Sequence, residues 1–135
     1  MNERREPGGS CLSAEEAAGL KKGVAEFNAG HFFECHDTLE EVWSGLRGPA
    51  RNFVQGLIQV AVGFYHLGNG NSGGALSMLE RGLARLEQCG PSCCGLELRG
   101  LRRELAAWRG RVAAGAGYPE RLEELLKLRW TEGEG

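Results

Sequence analysis

Residues 52–79 read NFVQGLIQVAVGFYHLGNGNSGGALSML, and nowhere in this stretch is there an Asp, Glu, Lys or Arg. Its first part is apolar on nearly every side of a helix, the mark of a helix buried among others or of one that spans a membrane. A span needs about 20 predominantly apolar residues, whereas this run is shorter and is interrupted by Gln55, Gln59 and His66. The pattern therefore predicts a buried central helix over residues 50–67, and no membrane as partner. On a helical wheel Gln55, Gln59 and His66 share one narrow stripe. Gly56 and Gly63 fall on the stripe beside it, where a second backbone can approach closely.

Working outward, Gly48-Pro49 ends a preceding helix and opens the central one, since Gly suits a helix C-terminus and Pro a first turn. That preceding helix covers residues 32–46, with Phe32, Cys35, Leu39, Val42 and Leu46 on its core face. Before it, Ser13 and Glu16 form a capping-box pattern for a first helix with the seam Ala17, Leu20, Val24, Phe27, closing near Gly30. After the central helix, Asn69-Gly70-Asn71 is a turn, and Leu76, Leu79, Leu83 and Leu86 give a fourth helix. A fifth helix follows over residues 99–114 with Leu101, Leu105, Trp108 and Val112 inward and arginines dominating its outer side. Pro119 starts a short C-terminal helix with Leu122, Leu125 and Leu126, and no strand pattern occurs. The fold class is all-α: a compact bundle of about five main helices around a buried third helix, one domain over residues 13–130. Residues 1–12 and 131–135 read as flexible ends.

The length of 135 residues suits a single core. A formal net charge of -2 gives no general attraction to nucleic acid or to anionic membranes. The five cysteines form no paired zinc spacing, and the polar N-terminus lacks the apolar region of a secretory signal. A cytoplasmic protein with five reduced thiols is the expectation, Cys35 buried and Cys89, Cys93 and Cys94 in or near the loop after the fourth helix.

Rotating the second helix at 100° per residue puts Phe33, His36, Glu40, Trp43 and Arg47 on one strip at the border of the core. His36 and Glu40 are an i,i+4 pair between aromatics, where a carboxylate can orient an imidazole or both can ligate a metal. The third helix folds back across the Gly48-Pro49 turn, which predicts that the Gln55, Gln59, His66 stripe faces this strip and that Gln59 reaches His36 or Glu40. His36→Ala is then expected to cost about 1–3 kcal/mol if Glu40 is left buried and unpaired.

The run Phe33-Glu34-Cys35-His36-Asp37-Thr38-Leu39-Glu40-Glu41-Val42-Trp43, then Gln55-Gly56-Leu57-Ile58-Gln59, then His66 and Gly74-Ala75, resembles the domain-of-unknown-function 309 family. The resemblance covers about residues 14–112, with Asp37 where the family pattern has Glu. It implies a compact helical bundle of bacteria, archaea and plastids, and it transfers no activity.

Two functional readings follow. In one, His36, Glu40, Gln59 and His66, walled by Phe33 and Trp43 and flanked by Gln55, form a small-ligand or divalent transition-metal site. His36, Glu40 and His66 would be the metal ligands, and His36 with Glu40 the acid–base candidates. In the other, the helical hairpins, loosely similar to tetratricopeptide pairs, form a scaffold for a protein partner or a second copy. Aligning Cys35 with Ala75 gives a period of 40 residues, against about 34 for that repeat, so a closed bundle fits better than a solenoid. A structural role for the His36–Glu40 pair, satisfying polar atoms at the core edge, is the simplest alternative to both.

Overall fold

The computed structural model describes residues 12–131. The expected flexible arm and tail, and Cys11, lie outside the described residues apart from positions 12 and 131.

Helix α1 spans Ala14–Asn28 and opens on the expected capping box, with the Ser13 side chain accepting from the Glu16 backbone N–H and the Glu16 carboxylate from that of Ser13. Helix α2 spans Phe32–Ser44, and α3 spans Gly48–Gly68 with Pro49 in its first turn. Helix α4 spans Ser72–Leu86, its first turn capped by the Asn71 side chain accepting from the Gly74 N–H at 2.9 Å. Helix α5 spans Arg99–Ala113. The all-α reading holds, and α3 is the central element: twelve of its 21 residues are buried, from Ala50 to Leu67. Its neighbours along the chain, α2 and α4, both pack on it. Arg51 is the sole Asp, Glu, Lys or Arg in the helix because its remaining faces meet protein rather than water. Among the described residues no helix is long and apolar enough to cross a membrane.

The glycine stripe of α3 is where α4 comes closest. A Cβ on Gly63 would lie 2.7 Å from Leu79 Cδ2, and one on Gly56 3.2 Å from Arg85 Cβ. From the other side, a Cβ on Gly82 would meet the Gly56 carbonyl at 2.9 Å. The two helices pack nearly backbone to backbone, which brings the side chain of Arg85 against the face of α3.

Two local expectations fail. A two-stranded antiparallel hairpin, β1 Ser92–Cys93 and β2 Leu96–Glu97, stands where loop was expected. Its turn places Cys94 at φ 52° and Gly95 at φ 87°, both left-handed, as tight hairpins require. The C-terminal segment forms one 3-10 turn, Leu122–Glu124, and then runs extended. Its backbone groups are taken elsewhere. Asn28 makes two side-chain bonds to the main chain of Leu128, at 2.7 and 2.9 Å; the Glu97 N–H of β2 donates to the Arg129 carbonyl, and the Thr131 N–H donates to the Gly95 carbonyl of the hairpin turn. Leu125, Leu126 and Leu128 are buried from this extended path, while Leu122 is exposed.

The expectation of five free thiols fails at Cys94, which is disulfide-bonded, while Cys35, Cys89 and Cys93 are free. Cys93 lies on β1 in the segment that follows α4, its sulfur 3.7 Å from that of Cys94. On the arginine side of α5, Arg99, Arg103, Arg109 and Arg111 are exposed, and Arg102 alone of these five is drawn in. Arg102 is half-buried and its Nη1 donates to the Leu86, Cys89 and Gly90 carbonyls, closing the C-terminal end of α4.

Candidate functional site

The turn between α2 and α3 is fastened by Arg51. One turn into α3, it reaches back so that Nη1 donates to the Trp43 and Leu46 carbonyls at 3.2 and 3.1 Å. Trp43 is in the last turn of α2, where its carbonyl also accepts from the Leu46 N–H at 3.0 Å, and Leu46 lies two residues past the helix end, so Arg51 ties down the chain as it leaves α2. The guanidinium also lies 3.7 Å over the Trp43 ring, a cation–π geometry that holds both side chains.

From the far side of α3, Arg85 donates through Nε to Gln59 Oε1 at 3.2 Å and through Nη1 to Asn52 Oδ1 at 2.7 Å. Gln59 is 8% exposed, so its carbonyl is satisfied by a guanidinium inside the bundle. The two arginines, with Trp43, Gly48, Asn52 and Gln55, line an open cleft of about 400 Å³. Both are half-buried, and neither is in ion-pair contact with a carboxylate among the described residues. Arg51 Nε and Nη2 and Arg85 Nη2 have no acceptor among those residues. The cleft thus presents two fixed positive charges with donors to spare.

A second cleft, of about 170 Å³, lies nearer the other end of α3, walled almost wholly by carbon from Phe32, Phe33, His36, Val62, Tyr65 and His66. Phe32 belongs to a buried aromatic cluster behind it, stacked on Phe64 at 5.4 Å and edge-on to Phe27 at 5.0 Å. Phe33 and Tyr65 stand at the mouth, 53% and 41% exposed, with ring centroids 5.6 Å apart. His36 lines one wall; its Nδ1 lies 3.3 Å from Asp37 Oδ1 and its Nε2 3.3 Å from Glu40 Oε2.

The residues singled out by the sequence are therefore divided between two places. Phe33, His36 and His66 come together at the apolar cleft, and Trp43 and Gln55 at the cationic one. Gln59 does not reach His36 or Glu40: its hydrogen bond goes to Arg85. Glu40 lines neither cleft, and its side chain is 55% exposed beside His36. The four-residue constellation of His36, Glu40, Gln59 and His66 does not converge, because seven residues of helix separate Gln59 from His66 by about 10 Å, and because α4 supplies a guanidinium that takes the Gln59 amide. Among the described residues no three His, Cys, Asp or Glu side chains gather to hold a metal ion.

Arg51, Asn52 and Arg85 were missed by sequence reading. Arg51 carried a signal, as the lone Asp, Glu, Lys or Arg within α3; Arg85, between the seam residues Leu83 and Leu86, carried none. Only the closeness of α3 and α4 makes it a lining residue.

A protein of Aquifex aeolicus (strain VF5) described as "Uncharacterized protein" is 27% identical over 93 residues, which is 68% of this chain and 28% of that protein. The chain spans little more than a quarter of that relative's length. The family model "Domain of unknown function (DUF309)" matches residues 20–78, a stretch that runs from the buried half of α1 through α2 and α3 into α4. The helices that carry the candidate residues on α2 and α3 are thus a match to the domain-of-unknown-function 309 family, the family that their sequence pattern resembles.

Proposed function

We propose that the protein is a ligand-binding module whose site is the cationic cleft between the end of α2, the first turns of α3 and the last turns of α4, and that it takes a small ligand carrying an oxyanion. The observation that carries this reading is the pair of half-buried guanidiniums, Arg51 and Arg85, which line a concave surface with no carboxylate in ion-pair contact among the described residues. A charge drawn partly out of water without a partner is unfavourable, and an anionic ligand would supply that partner. Guanidinium forks suit phosphate and carboxylate groups, and the amides of Asn52 and Gln55 can accept or donate beside them. The cleft is larger than an inorganic anion, so the oxyanion is one end of a bigger molecule. Its side chains are Trp, Arg, Asn and Gln, none of which titrates near neutrality or is a ready nucleophile. Binding rather than turnover is the role they support.

The test is thermal unfolding at low ionic strength with inorganic phosphate, pyrophosphate or citrate, each against potassium chloride of equal ionic strength. Ligand at about 100 times its Kd adds about 2.7 kcal/mol of stability, a rise of several degrees in Tm for a chain of this size. Arg51→Gln and Arg85→Gln should each lose most of that rise. If chloride matches all three anions, or if both variants respond as the parent does, the reading is wrong.

A further inference from the structure

The apolar cleft on α2 and α3 has a feature that a surface dent formed by imperfect packing does not need. We propose that it is a second binding site, taking a small organic cation: a ring or branched alkyl group that fills the cleft, with an ammonium one or two carbons away. Three observations combine. The cavity, of about 170 Å³, has walls of carbon and holds one ring-sized group. Phe33 and Tyr65 stand exposed at the mouth rather than folding inward, which leaves two aromatic faces to meet whatever enters.

The third observation is electrostatic. His36 joins the cleft to a pair of carboxylates, one 3.3 Å from each of its ring nitrogens. A neutral imidazole has a single N–H, so it can serve one of Asp37 and Glu40 as donor but not both. A charged imidazolium serves both yet cancels only one negative charge. In either state the rim keeps at least one net negative charge, and among the described residues no Lys or Arg is in ion-pair contact with Asp37 or Glu40. Helix α2 adds Glu34 and contains no Lys or Arg, while its Glu41 lies on the other side of the helix, toward Lys22 of α1. A ligand that places a ring between Phe33 and Tyr65 and a positive charge at the His36 edge satisfies the apolar walls and the unbalanced rim together. A ligand of the same shape with a carboxylate would meet the rim's repulsion.

The probe is phenethylammonium, compared with phenylacetate, which has the same ring and the opposite charge. The chain has three histidines; His36 and His66 line the cleft, and exposed His31 in the α1–α2 turn is an internal reference. In proton NMR titrations the His36 and His66 ring signals should move with phenethylammonium while those of His31 stay. Phenethylammonium should bind at least about tenfold more tightly than phenylacetate, the difference a single unscreened charge contact provides. Phe33→Ala and Tyr65→Ala, at exposed positions that leave the core intact, should each weaken it about fivefold or more. The double variant Asp37→Asn, Glu40→Gln should keep ring binding and bring the two probes to within about twofold. Equal affinity of the two probes for the parent protein, shifts that include His31 as much as the other two, or cation preference surviving in the double variant would each overturn the proposal.

Discussion

The two clefts on α3 are built from opposite materials. The one near the start of α3 holds two arginines with no carboxylate in ion-pair contact among the described residues and is lined by amides and an indole; the one near its end is walled by carbon and edged by two carboxylates that, among the described residues, have His36 but no Lys or Arg in ion-pair contact. Their polar groups are also held differently. Arg51 and Arg85 are fixed by hydrogen bonds that run into the fold, to the carbonyls ending α2 and to the amides of Asn52 and Gln59. Among the described residues Asp37 and Glu40 are in ion-pair contact with His36 alone, and both stand largely in solvent. Removing a charge from the first cleft should therefore disturb the fold as well as the site, whereas removing one from the second should change only what the surface attracts.

The largest effect expected from this contrast is that of Arg85→Ala. It leaves the buried Gln59 carbonyl and the Asn52 side chain without their donor, and should destabilise by about 1–3 kcal/mol in urea denaturation. A change under about 0.5 kcal/mol would mean that water replaces the guanidinium freely, and the first cleft would be as loosely held as the second.

Next in size is an effect on the wall that separates the apolar cleft from the core. Cys35 precedes His36 on α2 but points inward, fully buried, and burial pushes its thiol up to about 12. At about pH 8 roughly one part in ten thousand is thiolate, so alkylation without denaturant should be orders of magnitude slower there than at half-buried Cys89. Fast labelling of Cys35 would show α2 opening beside the cleft. The sign of the pH dependence follows from the same shift. The folded-state value lies above the ordinary value of 9.0, so the folded chain holds this proton more tightly. Stability from this group is complete below about pH 9 and is lost as pH rises toward 12. Cys35→Ala should flatten the alkaline limb of the stability curve, measured as urea midpoint against pH.

A smaller effect separates the clefts by salt. Oxyanion stabilisation should fall steeply between about 0.05 and 0.5 M potassium chloride as the Debye length shrinks. The affinity of the apolar cleft for phenethylammonium should fall less, since part of it comes from ring burial. Equal salt dependence would argue against that division of forces.

The smallest effect is that of His36→Ala on stability, expected within about 0.5 kcal/mol because Glu40 is exposed and is not stranded by the loss. This reverses the expectation formed from the sequence, which took Glu40 to be buried. A loss above about 1 kcal/mol in thermal or urea unfolding would restore a structural role for the pair. Metal analysis of purified protein completes this test: stoichiometric zinc, manganese or nickel that His36→Ala abolishes would bring His36 and His66 back as ligands.

Much of the fold was legible because it follows from local chemistry. The Ser13–Glu16 capping box, the turns at Gly48-Pro49 and Asn69-Gly70-Asn71, and the seams Leu20–Val24–Phe27 and Leu101–Leu105–Trp108–Val112 each depend on residues within a turn or two of one another. The C-terminal segment was misread because its leucines allow a helix, and only bonds from Asn28, a hundred residues away, hold it extended. Half of the site was legible for the same reason. Phe33, His36 and His66 could be read from helical spacing, but the partner of Gln59 could not.

The sequence alone determined that α3 would be central, since the uncharged run that begins at Asn52 is, up to Leu67, apolar on nearly every side of a helix. It also placed Gly56 and Gly63 on the side where a backbone could come close. Which backbone came, and what it brought, was decided by the tertiary structure. Helix α4 lies against that stripe with Gly82 facing Gly56, and at this separation the Arg85 side chain reaches across α3 to Gln59 and Asn52. Periodicity tells which face of a helix is buried but carries no information on how far apart two buried faces will sit. That distance turned one expected polar constellation into two clefts of opposite charge.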